Sequence, residues 1–234
     1  MADAPQQRRQ YVRYCFFKLR PEWRALPDEA RQAGKRAFAA VVEESQRRQP
    51  VLRTYSTLGT RADCDLFLWS VTWTLEEQRD LQSQLLQTPL GPYLDLPYSF
   101  LAMTKRSVYV ESHRHEGQEG TRSVLRPRNT KYLFVYPFVK TRAWYALSQE
   151  ERQAMMTQHM ELGHRYPSVT INTSYSFGLD DQEFVVSFET DDPAAFLDLV
   201  MDLRSTRASE YTLRDTPIFS GIAMACGEAL DLLG

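Results

Sequence analysis

Cysteine and histidine are scarce in this chain, three of one and four of the other in 234 residues. Cys15, Cys64 and Cys226 are scattered and odd in number, with no CxxC pair, so neither a disulfide framework nor a thiolate metal site is expected and a reducing, cytoplasmic setting fits. No HxxE or HExxH pattern surrounds His159, which argues against zinc or non-haem iron there. Neither GxGxxG nor a P-loop occurs, so a nucleotide-dependent enzyme is disfavoured. No apolar run approaches the ~18–20 residues of a membrane span, and the opening MADAPQQRRQ lacks a signal peptide's apolar stretch, so a soluble protein without a membrane span is expected. With 28 Lys+Arg against 30 Asp+Glu and a formal charge of −2, the basic excess of a nucleic-acid binder is missing too.

What is present is an ordinary globular mixture, 43 % hydrophobic and 25 % charged. The length is long for one compact domain and short for two. Tyr11 to Lys18 read as a buried strand ending before Pro21. Asp28 is placed to cap a helix whose apolar stripe is Ala30, Ala33, Ala37, Phe38 and Val41, ending in the polar run Glu43–Gln49. Strands at Val51–Leu58 and Asp65–Trp73 follow, then a helix opened by the capping box Thr74-Leu75-Glu76-Glu77 and continued by Leu81, Leu85 and Leu86, then a strand at Tyr98–Thr104. The order is β-α-β-β-α-β.

Residues 105–130 are polar and aperiodic, a linker loop. Beyond it the order repeats: a strand at Tyr132–Lys140, a helix at Gln149–Gly163, strands at Val169–Phe177 and Glu183–Phe188, a helix capped by Asp192 with Pro193 first and Phe196, Leu199, Val200 and Leu203 inward, and a strand at Ile218–Met224. Lys18-Leu-Arg20 aligns with Lys140-Thr-Arg142 (140 − 18 = 122), and Trp23 with Trp144 (144 − 23 = 121) if one residue is deleted between them. Thr54–Gly59 matches Thr173–Gly178 (178 − 59 = 119). The expected fold is therefore α+β, a duplicated ferredoxin-like unit whose two sheets can close around a cavity as in a dimeric α/β barrel. Its parts are an N-terminal scaffold half at 8–104, the linker, and a C-terminal functional half at 131–226.

Candidate chemistry lies in the second half. Met155, Met156 and Leu162 flank His159 at helical spacing, which turns its imidazole toward the sheet. It reads either as a core histidine or as an axial ligand in an apolar pocket. Tyr136 and Lys140 share a strand face if the kink at Pro137 is small, either as a core tyrosine with a snorkelling lysine or as a redox-active tyrosine beside a cation that holds a carboxylate. Arg122, Arg126 and Arg128 are solvated loop charges or partners for an anionic substrate.

Several ordered motifs give the chain a family resemblance: Tyr136-Pro-Phe-Val-Lys140, Trp144-Tyr145, Glu150 through His159, Ser176-Phe-Gly-Leu-Asp-Asp181, Phe188 through Pro193 and Leu203 through Ser209. With these the chain resembles the chlorite dismutase-like haem proteins, which include the coproheme decarboxylases. The resemblance implies a duplicated ferredoxin-like barrel assembled as a homo-oligomer, usually a pentamer, with an iron porphyrin in the C-terminal half. It makes His159 the iron ligand, Tyr136 the oxidised tyrosine, Lys140 the lysine near the reacting propionate, and Arg122 and Ser209 further propionate contacts. Ile171 stands where chlorite dismutases carry a distal arginine, which favours coproheme as both substrate and cofactor, with hydrogen peroxide as oxidant. Chlorite dismutation or peroxidation with haem b, and haem binding without catalysis, are the alternatives. A distal base is sought at Glu119, His113 or His115.

Overall fold

Aromatic and β-branched residues supply the strands of this protein, and capped amphipathic segments supply its helices. The computed structural model describes residues 8–109 and 124–234, so Arg122, Glu119, His113 and His115 lie outside the described residues. Two compact units result, one running to Leu101 and taking in Phe219–Gly234, the other Ala102–Ile218.

The first unit contains β1 (Tyr11–Leu19), a 3-10 turn at Pro21–Ala25, α1 (Asp28–Gln46), β2 (Val51–Ser56), β3 (Leu66–Thr72), α2 (Leu75–Leu86) and most of β4 (Leu94–Met103). The second contains β5 (Tyr132–Lys140), α3 (Arg142–Ala146), α4 (Gln149–Gly163), β6 (Thr170–Tyr175), β7 (Phe184–Thr190), α5 (Pro193–Arg204) and, after a 3-10 turn at Arg207–Tyr211, the short β8 (Thr212–Arg214). The chain then returns to the first unit with β9 (Phe219–Met224) and α6 (Cys226–Asp231). Strand order is β2-β3-β1-β4 in the first unit and β6-β7-β5-β8 in the second, the same order in equivalent strands. The α+β class and the doubled order of elements are as expected.

Duplication extends to single hydrogen bonds. Arg20 N–H donates to Tyr93 O, and Thr141 N–H to Tyr211 O, each at 2.8 Å. Trp23 and Trp144 are buried in the turns that follow, against Tyr93 and Tyr211 with ring centroids 5.5 and 5.6 Å apart. Gly59 and Gly178 close the corresponding hairpin turns at φ +82° and +72°, where only glycine is unstrained. The cross-strand pairs Cys15↔Leu68 and Tyr136↔Val186 have the same relative register.

These equivalences correct the sequence alignment. β1 and β5 are both nine residues long, Tyr11 corresponds to Tyr132 (132 − 11 = 121), and the offset stays 121 through Trp144 and the helix starts Asp28 and Gln149. No residue is deleted. Lys140 thus occupies the place of Leu19 and not of Lys18, because the ladder pairing sets equivalence and overrides identity of residue type.

Other expectations shift for local reasons. Asp28 is the first helical residue and Pro27 the cap position; the Asp28 carboxylate accepts from Arg31 at 3.2 Å instead of capping. The buried face of α1 is Gly34, Lys35, Phe38, Ala39, Val42 and Ser45, while Ala30 and Ala33 are exposed. A glycine and a lysine had hidden that stripe: Gly34 lets the Trp23 ring approach, and Lys35 reaches Asp231 at 3.3 Å. On α2, Leu81 and Leu85 are buried and Leu86 is exposed, but the Thr74–Glu77 capping box forms as expected. β4 begins at Leu94, four residues before the expected Tyr98. The strand expected at Ile218–Met224 forms as β9, starting one residue later at Phe219.

Candidate functional site

Two capped elements bring the second unit's polar side chains together. Ser148 and Glu151 form a reciprocal capping box that the sequence reading missed, with Glu151 N–H donating to Ser148 Oγ at 3.1 Å and Ser148 N–H to Glu151 Oε2 at 2.9 Å. The box starts α4 at Gln149, so Met155 and His159 lie one turn apart on one face. Asp192 accepts from Ala194 and Ala195 N–H at 3.0 and 3.1 Å and starts α5, which buries Leu199 against Tyr136, Val169 and Phe188.

His159 is half-buried as a residue, but its Nδ1 is sealed from solvent and has no hydrogen-bond partner among the described residues. Burial, aided by the Lys140 cation, pushes its pKa down to about 4, so the imidazole is neutral at physiological pH. Neutral imidazole is the form that ligates a metal.

Lys140 ends β5 and is 9 % exposed. Its ammonium donates to Ala208 O at 2.6 Å and sits 4.7 Å from the Trp144 ring centre and 5.2 Å from that of Phe138. Burial lowers its pKa to about 8 against the opposing pull of the Glu183 carboxylate. Lys140 makes no ion pair among the described residues, so a buried positive charge lacks a carboxylate at bonding distance. Tyr136 lies four residues earlier, 9 % exposed, stacked on Phe188 with centroids 5.7 Å apart. Burial raises its pKa, which holds the phenol protonated. Pro137 does not break the strand: the ladder with β7 runs unbroken from Tyr132 to Phe138, and the register shifts only between Val139 and Lys140.

Ile171 is on β6 opposite Phe188, in the same apolar cluster as Tyr136, and faces α4 at Gly163. Ser209 lies in the 3-10 turn, where its hydroxyl is within 2.6 Å of Arg204 O and 2.7 Å of Thr206 O, so its single proton is held by the local turn. Arg126 and Arg128 belong to the loop ahead of β5.

Two participants escaped the sequence reading, Glu183 and Tyr145. Glu183 Oε2 accepts the Lys140 N–H at 2.8 Å and the Tyr145 O–H at 2.6 Å, and Glu183 N–H donates to Phe138 O at 3.2 Å. The signal that finds Glu183 is the repeat: Asp65 in the first unit accepts Leu19 N–H at 2.8 Å in the same way. No helix among the described residues is long and apolar enough to cross a membrane.

The sequence model of the chlorite dismutase family matches residues 31–224 of this chain. The chain belongs to the chlorite dismutase family. One relative of this chlorite dismutase family member, the coproheme decarboxylase of Mycolicibacterium smegmatis, is 29 % identical over 220 residues, covering 94 % of this chain and 92 % of that protein. A mutant chlorite dismutase from Candidatus Nitrospira defluvii superposes with a TM-score of 0.86 at 26 % identity, covering 95 % and 94 % of the two chains. A haem-binding protein from Thermus thermophilus does so with a TM-score of 0.85 at 25 % identity, covering 96 % and 94 %. The chlorite dismutase family thus includes enzymes, and both named activities belong to it.

Proposed function

We propose that the second unit binds an iron porphyrin and that the protein is a peroxide-dependent coproheme decarboxylase, converting propionates to vinyl groups. The observation that carries this reading is an internal comparison. At the 121-residue offset, Tyr136, Lys140 and His159 occupy the positions of Cys15, Leu19 and Phe38, three members of one apolar core in the first unit. Burying a cation, and an imidazole nitrogen with no partner among the described residues, where the fold accepts Leu and Phe costs stability, a cost that a bound carboxylate and metal would offset.

The residues fit that group. His159 offers a neutral imidazole with a nitrogen sealed from solvent, and Lys140 offers a buried positive charge for a propionate carboxylate. When bound, the iron porphyrin supplies the two-electron redox chemistry that peroxide drives. Each propionate converted loses CO2, one proton and two electrons; peroxide takes up the two electrons and two protons and leaves as two waters. We assign the relay to Tyr136, whose phenol gives up an electron and its proton and regains both as a hydrogen atom from the propionate chain. Its burial keeps the proton on the oxygen until then. Lys140 orients the carboxylate, and the stacked Phe188 holds the tyrosine ring in place. Apolar Ile171 offers no positive charge to chlorite.

The test is to add coproheme and then peroxide to the purified protein and follow the porphyrin by mass spectrometry. Loss of two carboxylates is expected, and Tyr136→Phe should bind coproheme yet leave it unconverted. Conversion by Tyr136→Phe at the parental rate overturns the relay. Oxygen release from chlorite without decarboxylation establishes the dismutase reading instead, and an unchanged ligand absorption signature in His159→Ala removes the ligand assignment.

A further inference from the structure

Glu183 stands at the turn into β7, and its carboxylate is shared between the main chain of β5 and the side chain of Tyr145. In the β5–β8 ladder, where Val139 pairs with Arg214 and Lys140 with Thr212, the register shifts between Val139 and Lys140, and there the Glu183 oxygen takes the Lys140 N–H. Past that point no β7 partner fixes the strand: the last residue paired with β7 is Phe138, whose carbonyl the Glu183 N–H holds. Past Phe138, Lys140 is therefore placed by its β8 partner Thr212 together with the Glu183 carboxylate that takes its N–H.

Comparison with the first unit separates the general part of this arrangement from the special part. There Asp65 Oδ2 accepts Leu19 N–H at 2.8 Å while its other oxygen accepts the Lys18 ammonium at 2.8 Å, so the carboxylate is neutralised by a half-exposed lysine. In the second unit the residue equivalent to Lys18 is Val139, and Glu183 makes no ion pair among the described residues. Its second bond comes from the neutral Tyr145 hydroxyl. A carboxylate at the strand end is thus a feature of the fold, but here the amide it holds is that of a buried lysine and its charge is not neutralised by a surface cation. Facing Lys140 are Glu183 from the β6–β7 turn, His159 from α4, the Ala208 carbonyl from the 3-10 turn and the Trp144 ring from α3.

We infer that Glu183, braced by Tyr145, is the positioning residue of Lys140, fixing the main chain at the register shift so that the ammonium meets a porphyrin carboxylate. This inference rests on the proposed role of Lys140 as the propionate contact. Glu183 acts through Lys140 and touches neither substrate nor the reacting atoms. Its loss should weaken carboxylate selectivity by the worth of the Lys140 contact without affecting apolar recognition of the macrocycle.

Iron-free coproporphyrin and its tetramethyl ester, titrated against tryptophan fluorescence, isolate that selectivity from iron ligation and from turnover. The parental chain should bind the acid more tightly than the ester, and Lys140→Met should cut that ratio about tenfold, the worth of one charge-assisted contact. Glu183→Ala should cut it to a similar extent, and the Lys140→Met/Glu183→Ala double variant should fall no further. Glu183→Gln keeps an oxygen for both donors and should restore the ratio to within about twofold of the parent. A parental ratio in Glu183→Ala overturns the inference and leaves the Lys140 reading standing, as does a double variant whose losses multiply. A parental ratio in Lys140→Met removes the Lys140 reading and the inference together. Should Glu183→Ala fail to fold, Tyr145→Phe replaces it: a fall of about threefold is expected from losing the brace, and an unchanged ratio overturns the inference.

Discussion

At residue scale, the substitution of His159 for the phenylalanine at the equivalent position of the first unit has a measurable thermodynamic signature. In the folded chain the imidazole proton leaves near pH 4; in the unfolded chain it leaves near the ordinary 6.5. Between those values the unfolded chain holds more protons, so His159 makes stability fall as pH drops from 6.5 toward 4, and below both values its contribution is fully lost. His159→Phe removes that proton-binding difference together with a sealed nitrogen that has no partner among the described residues. In the apo protein, urea denaturation at pH 7 should show a gain of about 1 kcal/mol. The same measurement at pH 5 should show a larger gain, because the parent has lost stability there and the variant has not. Equal gains at both pH values would mean that His159 titrates normally in the fold. The sequence placed His159 on an apolar helix face but could not separate a core histidine from a ligand. That distinction depends on Nδ1 having no near partner and on Lys140 approaching from another element, and neither is encoded in local spacing.

At element scale, legibility follows the range of the interaction. The Thr74–Glu77 box and the Asp192–Pro193 start were readable because every partner lies within four residues, and both form. The inward face of α1 was not, since its registration depends on Trp23 filling the space that Gly34 leaves and on Lys35 reaching Asp231, 196 residues away in the chain. Gly34→Ala should therefore destabilise by about 1–3 kcal/mol, because its Cβ would fall 2.6 Å from the Trp23 ring. Glycines at the hairpin turns test a different cost. A Cβ at Gly59 or Gly178 meets nothing within 4 Å, so the penalty of alanine there is purely that of positive φ, about 1–2 kcal/mol. Urea midpoints should show similar losses for Gly59→Ala and Gly178→Ala, since the two turns carry the same hydrogen bonds. A loss at only one would indicate that the two hairpins are not equivalent in solution. The single-residue gap in the repeat misled for a related reason: Lys18 and Lys140 share a residue type, whereas β1 and β5 share a ladder position one residue away.

At the scale of the whole molecule, a duplicated chain contains a control for its own functional half. Cys15, Leu19 and Phe38 show what the fold prefers at three buried sites when only packing matters, and Tyr136, Lys140 and His159 show what the second unit keeps instead. If that preference measures the cost of function, making the second unit like the first should raise stability and remove ligand response at once. The double variant Lys140→Leu/His159→Phe carries this test, with both substitutions analysed together because the two sites interact. Without ligand it should melt above the parent, since a buried cation without an ion pair and a buried nitrogen without a partner among the described residues are replaced by groups the fold already accommodates at these sites. With coproheme at about 100 times its Kd, the parent should gain about 2.7 kcal/mol, a rise of roughly 5–10 °C for a chain of this size. The double variant should gain nothing. A variant that is stabilised when empty and still rises with coproheme would place the porphyrin elsewhere in the chain, and one that melts below the parent would show that Lys140 and His159 support the fold without a ligand.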